Sequence, residues 1–339
     1  MIVTPRSATG AQVVVQAPAR LHMGFLDLNG DMGRRFGSLG VALDDLCTRV
    51  AIAPSSDFSA TGPDAARALR YARALCARLA LPPVAIRVEA AIPPHVGLGS
   101  GTQLALAIGV GLARLYGLDL AARTIAELTG RGARSGIGVG AFDQGGFVLD
   151  GGRDSAGGTP PVVLRAGFPD AWRFILLLDL QACGLHGVDE QEAFARLPPF
   201  PAECAAHLCR LVLMRLLPAL IERDLATFGA AVTELQATVG DYFAPAQGGR
   251  FANPAVARAL AWLGDQGAAA VGQSSWGPTG FALCGDPDEA AALVARLRRE
   301  PAGRGLRLRA VAACNRGAAV ELIEGRAPQH AGARRGAQR

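Results

Sequence analysis

The apolar positions of this chain repeat with two periods. Over residues 65–79 they recur at helical spacing, with arginines on the opposite face, and predict an amphipathic helix. Residues 84–88 alternate and predict a strand, and 12–16, 41–43 and 49–52 read the same way. Residues 102–116 predict a long buried helix, and 121–128 a second one that stops at Gly130. The longest apolar stretch, 104–118, is broken by Arg114 and too short to span a bilayer. Residues 174–180 have the length and content of a buried strand. After them the character changes. Residues 203–236 read as helical with a break near Pro218, 253–263 as a helix opened by an Asn-Pro cap, and 287–299 as another helix. Strands are expected at 269–271, 280–284, 306–312 and 318–322.

A length of 339 residues predicts two domains. The change in pattern divides them as 1–185 and 186–325, with 326–339 as a disordered tail. Half the residues are hydrophobic and 19% are charged, which excludes a disordered chain. Aromatics make up 6%, so the cores are expected to be aliphatic. The net charge of +5 is scattered along the chain rather than clustered with aromatics. It predicts attraction for anionic small molecules and no nucleic-acid partner. All 34 basic side chains are arginine. A Schiff-base lysine and a P-loop lysine are therefore excluded, and phosphate or carboxylate contacts fall to arginine forks. The seven cysteines form no CxxC pair, which predicts reduced thiols, a cytoplasmic protein and no zinc site. No signal peptide and no membrane partner are read.

The sharpest chemical signal is Pro94-His95-Val96-Gly97-Leu98-Gly99-Ser100-Gly101-Thr102, a glycine turn opening a helix. Free N–H groups and the helix dipole there make an anion site, and Ser100 and Thr102 add hydroxyls for phosphate or for a Mg²⁺ shell. The same turn also reads as a plain N-cap. Arg20 and His22 share one face of an extended segment and suit a carboxylate or phosphate, or else form a surface pair. Asp27 is either a metal ligand or a loop cap. Residues 132–152 carry too many glycines for a helix interior; they read equally as close backbone approach with left-handed turns and as a bulged hairpin. His186 lies on a loop at the expected domain junction. The loop Gln273-Ser274-Ser275-Trp276 joins two strands, with Trp276 either stacking on a ligand ring or filling core.

In chain order, Ala17-Pro18-Ala19-Arg20-Leu21-His22, Pro94 to Leu106 and Gly272 to Ala282 resemble the three motifs of the GHMP kinase superfamily. The resemblance spans nearly the whole chain. It implies an α+β, GHMP kinase-like two-domain fold: an N-terminal ribosomal S5 domain 2-like unit with a left-handed βαβ, and a ferredoxin-like C-terminal unit. Within the superfamily, the stretches Arg20 to Leu28, Arg134 to Gly146 and Gln273 to Gly280 are most similar to the β-ribofuranosylaminobenzene 5′-phosphate synthases. Many kinases of the superfamily carry a catalytic aspartate after Ser-Gly-Ile. Here Ser135-Gly136-Ile137 is followed by Gly138, and Arg20 replaces the lysine common in the first motif.

The synthase resemblance implies transfer of phosphoribose from phosphoribosyl pyrophosphate to 4-aminobenzoate, with loss of CO₂ and pyrophosphate, in tetrahydromethanopterin biosynthesis. It also implies Mg²⁺ and a homodimer. Arg20, His22, Asp27 and Asp143 are then the candidate catalytic residues, with Ser100 and Asp27 as candidate metal ligands. Pro94, Gly97 to Thr102, Arg134 to Gly136, His186 and Gln273 to Trp276 are the candidate substrate contacts. An ATP-dependent small-molecule kinase and a non-catalytic phosphosugar sensor are the alternative readings. The ring substituent, amino or hydroxyl, is left open.

Overall fold

Two very long strands organise the first half of the chain. In the computed structural model, which describes residues 10–179, 181 and 197–324, β1 (Gln12–Asp27) pairs antiparallel with β2 (Arg34–Pro54). Both outrun the short strands that alternation predicts, because bulges at Pro18/Ala19 and His22/Gly24 shift the register and break the period of two. Arg20 and His22 therefore lie within β1 itself, beyond the 12–16 run that alternation predicts. β3 (Ser59–Thr61) and β4 (Val84–Ala90) are parallel and joined by α1 (Ala65–Leu79), which spans the residues its periodicity predicts. β5 (Phe147–Asp150), β6 (Arg153–Asp154) and β7 (Val162–Ala166) extend the β2 side. α2 (Ser100–Tyr116), α3 (Ala122–Leu128) and α1 cover one face, where α2 buries almost its whole length.

The second sheet contains β8 (Arg173–Leu178), β9 (Ala270–Gln273), β10 (Gly280–Cys284) and β11 (Arg307–Val311), in the antiparallel order β11-β8-β10-β9. After Arg173, β8 is apolar because both its faces are buried. Phe174, Leu176 and Leu178 pack on one core, Ile175 and Leu177 on the other. The second core is built with α8 (Pro254–Asp265) and α9 (Pro287–Leu297). Asn253 caps α8 by accepting from the Ala255 and Val256 N–H groups, as the Asn-Pro signal predicts. α5 (Ala202–Leu211) and α6 (Leu217–Glu222) are joined by a π turn over Val212–Leu216, and α7 (Leu225–Gln247) follows. Pro218 does not break this stretch. It sits in the first turn of α6, where its missing N–H costs least, and the break falls at the left-handed Arg223.

Two expectations need correction. The division at 185/186 is misplaced: β8 already belongs to the second sheet, and β12 (Ala319–Ile323) returns to pair with β1 in the first. The lobes also share one core, in which Leu21, Met23 and Phe25 of β1 pack with Phe228, Leu235 and Phe281. The glycine-dense stretch is not a hairpin; it contains α4 (Ile137–Asp143). Its glycines permit close approach. A Cβ on Gly138 would lie 2.9 Å from Thr102 Cγ2, and one on Gly140 would lie 2.6 Å from Val148 Cγ1. The expected tail, 326–339, lies outside the described residues.

Ala202–Glu222 is long and apolar enough to cross a membrane by composition. Its Leu208, Leu216 and Leu220 are nonetheless buried in the shared core.

Candidate active site

The three motif stretches, far apart in sequence, meet backbone to backbone. Arg20 N–H donates to Leu98 O at 3.1 Å, and the Arg20 guanidinium to Gly97 O. Ser274 Oγ accepts from His22 N–H at 3.0 Å and donates to Gly97 O at 2.8 Å. Thr279 Oγ1 donates to Val96 O at 2.6 Å. This contact is what the glycines are for. A Cβ on Gly97 would lie 2.5 Å from Ser274 O, and one on Gly277 would lie 2.5 Å from Gly97 Cα. Gly97 and Gly99 also hold φ of 86° and 85°.

The turn delivers an uncapped helix start. Gly99 is the N-cap of α2, and among the described residues no side-chain bond caps it. Two arginines flank this positive end. The Arg20 side chain packs on Gly99, and a Cβ on Gly101 would lie 3.3 Å from the Arg131 Cζ. Arg131 is held by a bond to the Tyr71 hydroxyl and lies 5.5 Å over the Tyr71 ring. The sequence reading missed Arg131. Its one local signal is the pair of positive-φ glycines on either side, Gly130 and Gly132. A helix N-terminus between two guanidinium groups can bind a diphosphate.

Burial reassigns several predicted contacts. Leu98 turns its side chain into the core, leaving only its backbone for a ligand. Ser274 is fully buried and its hydroxyl is committed to the clamp described above. Gln273 is committed too: its Oε1 accepts from Ala252 N–H at 2.7 Å and its Nε2 donates to Ser275 O at 2.9 Å. Ser135 joins a buried cluster with Ser38 and Asp150, in which Asp150 Oδ2 accepts from Gly136 N–H at 2.8 Å. Burial raises the Asp150 pKa, against hydrogen bonds from Ser38, Gly152, Gly136 and Ser135 that lower it. This cluster fixes the Arg134-Ser135-Gly136 turn beside the start of α2. Pro94 is exposed on the approach to the glycine turn. His186 lies outside the described residues.

Asp27 is a loop cap. Its Oδ1 accepts from Asn29 and Gly30 N–H groups at 2.8 and 2.9 Å. It stands seven residues along β1 from Arg20, roughly 20 Å at the rise of a strand, so Asp27 and Ser100 do not share one ion. Asp143 is at the far end of α4, where a Cβ on Gly317 would lie 2.4 Å from its carbonyl oxygen, and burial raises its carboxyl pKa. Among the described residues no three His, Cys, Asp or Glu side chains form a metal cluster. The hydroxyls at the α2 start are hard oxygen donors. They suit a Mg²⁺ ion carried chiefly by phosphate oxygens.

His22 differs most from expectation. It is 2% exposed, and burial, with the Arg20 charge nearby, lowers its pKa to about 3. A neutral imidazole cannot hold a carboxylate as a cation, so that role falls away. Its ring stands 4.7 Å from Phe25, in a narrow pocket also walled by Phe243 and Trp276. Trp276 is at once core and pocket wall, 4.6 Å edge-on to Phe243.

Residues 65–151 match the GHMP kinases N terminal domain, and residues 216–303 the GHMP kinases C terminal domain. Among solved structures, homoserine kinase from Cytophaga hutchinsonii superposes with a TM-score of 0.65 at 18% identity, covering 91% of this chain and 97% of that one. That likeness is one of fold. The beta-ribofuranosylphenol 5'-phosphate synthase of Archaeoglobus fulgidus is 35% identical over 324 residues, covering 91% of this chain and 99% of that protein. The protein of the same name from Methanothermobacter thermautotrophicus is 31% identical over 310 residues, covering 84% and 93%. This name specifies a phenol where the sequence resemblance specifies an aminobenzene; ribose phosphate and ring are common to both. On these matches and on the geometry above, the chain belongs to the beta-ribofuranosylphenol 5'-phosphate synthase family, built on the GHMP kinase fold.

Proposed function

We propose that this chain transfers phosphoribose from phosphoribosyl pyrophosphate to the carboxyl-bearing carbon of a 4-substituted benzoate, releasing CO₂ and pyrophosphate. Its place would be in tetrahydromethanopterin biosynthesis. The observation that carries this reading is Gly138. Where the kinase resemblance calls for a carboxylate, a Cβ would meet Thr102 Cγ2 at 2.9 Å, so a side chain there would have to displace Thr102. A kinase must activate a hydroxyl; this reaction does not.

In this reading the leaving pyrophosphate lies on the start of α2, between Arg20 and Arg131. Negative charge grows there as the bond to ribose C1 breaks, and fixed N–H groups and guanidinium forks stabilise it without reorganising. Mg²⁺, held by the pyrophosphate and the Ser100 hydroxyl, would neutralise part of that charge. The turn at Arg134 receives the 5-phosphate. The ring carbon attacks C1, so the aromatic acid must be oriented rather than deprotonated.

The test is release of labelled CO₂ from carboxyl-labelled 4-hydroxybenzoate or 4-aminobenzoate in the presence of phosphoribosyl pyrophosphate and Mg²⁺. ATP consumption on a small alcohol instead would support a kinase. Phosphosugar binding without turnover, with Arg20→Ala changing affinity alone, would support a sensor.

A further inference from the structure

The helix α1 covers the first sheet with a stripe of small and aliphatic side chains, and its Ala68, Ala72 and Leu75 are fully buried. Tyr71 stands at the edge of that stripe. Its ring packs against the same core, and its hydroxyl reaches the loop after α3, where it accepts from the Arg131 guanidinium. The guanidinium also lies 5.5 Å over the Tyr71 ring. Among the described residues no carboxylate pairs with Arg131, and its buried Nε has no hydrogen-bond partner. The phenol oxygen thus takes one of five N–H donors and leaves most of the fork unspent. That fork is held against the first turn of α2. A Cβ on Gly101 would stand 3.3 Å from Arg131 Cζ and Nη1 and 3.4 Å from Nη2. Nη2 is the atom that bonds the phenol, so the hydroxyl lies one hydrogen bond away from the atoms that border the helix start. A phenol that accepts from a cation still carries its own proton, and polarisation by that cation makes the proton a better donor. Among the described residues no acceptor takes the Tyr71 proton.

We propose that Tyr71 is a further binding residue for the pyrophosphate: its hydroxyl, aimed by Arg131, donates to a phosphoryl oxygen of the diphosphate at the start of α2. The inference rests on the synthase reading and adds a residue to its anion site. Arg131 and Tyr71 act as one unit. The guanidinium fork meets one phosphoryl group and the phenol an oxygen beside it, so the leaving group is gripped from α1 as well as from α2. Both bonds are charge-assisted, and both strengthen as negative charge collects on the diphosphate. Tyr71 and Arg131 are each partly exposed, which leaves the anion a way in. A neutral donor beside Arg20 and Arg131 adds a bond without adding a third positive charge.

The experiment is calorimetric titration of the full chain with inorganic pyrophosphate and Mg²⁺, in wild type, Tyr71→Phe, Arg131→Met and the double variant. Phenylalanine keeps the ring under the guanidinium and removes the hydroxyl alone. Tyr71→Phe should weaken pyrophosphate binding about tenfold, the loss of one hydrogen bond to a charged group. The double variant should bind less than about threefold more weakly than Arg131→Met, because without Arg131 the hydroxyl is no longer aimed. In steady-state kinetics, Tyr71→Phe should raise KM for phosphoribosyl pyrophosphate and leave the acceptor KM within about twofold. A tyrosine that only fills space would lower the melting temperature and leave pyrophosphate affinity untouched, and that result overturns the proposal. Fully additive losses in the double variant overturn it too, as does failure of the wild type to bind pyrophosphate. Labelled CO₂ release with unchanged pyrophosphate affinity in Tyr71→Phe defeats the role of Tyr71 and leaves the reaction standing. Tyr71-dependent pyrophosphate binding without CO₂ release does the reverse.

Discussion

At the scale of single residues, burial decides what a side chain can do. His22 ionises near pH 3 in the fold but near 6.5 when unfolded. Between those values the unfolded chain binds the extra proton, so stability is complete above pH 6.5 and falls as the pH drops toward 3. The loss is up to about 1.4 kcal/mol per pH unit. Asp150 acts in the opposite direction, since its folded pKa is raised. Denaturant melts of wild type and His22→Phe from pH 7 to 3.5 should therefore differ by a component that grows in acid. Parallel curves would refute the buried neutral imidazole. Arg131→Met should raise KM for phosphoribosyl pyrophosphate roughly tenfold or more, the worth of a lost charge-assisted bond, with acceptor KM unchanged in steady-state kinetics. Arg20 and His22 were legible in the sequence because they form a motif. Arg131 was not, being one arginine among 34. The commitment of Ser274 depends on neighbours that arrive from 177 and 252 residues away, which local spacing does not encode.

At the scale of elements, glycine placement is the main determinant. Gly97→Ala should destabilise by more than about 1 kcal/mol, because φ is 86° and the new Cβ would press on Ser274 O. Gly264→Ala is the control: it lies in α8 with nothing within 4 Å of the added carbon, and should stabilise by a few tenths to about 1 kcal/mol. Thermal melts read both. Gly138→Asp should lower the melting temperature and confer no ATP-dependent phosphorylation of homoserine or mevalonate, since the carboxylate must displace Thr102. The helices α1, α8 and α9 could be read from periodicity and caps. α4 could not, because close approach to α2 favours residues that helix propensity disfavours. β1 and β2 run longer than alternation predicts because their bulges reset it, and because β1 is buried along most of its length.

At the scale of the molecule, the α+β class and the motif order were present in the sequence, but the partition between lobes was not. β8 reads as part of the first half and pairs in the second sheet; β12 does the converse. The result is one continuous core joining the lobes, with the glycine turn, the arginine pair and the aromatic cluster of Phe25, Phe243 and Trp276 assembled where they meet. The most direct measurement is the CO₂ assay on the purified chain. With phosphoribosyl pyrophosphate, Mg²⁺ and a carboxyl-labelled 4-substituted benzoate, labelled CO₂ and pyrophosphate should appear in equal amounts. Absence of CO₂ from both the hydroxy and the amino acid, with turnover of ATP on a small alcohol, would contradict the account.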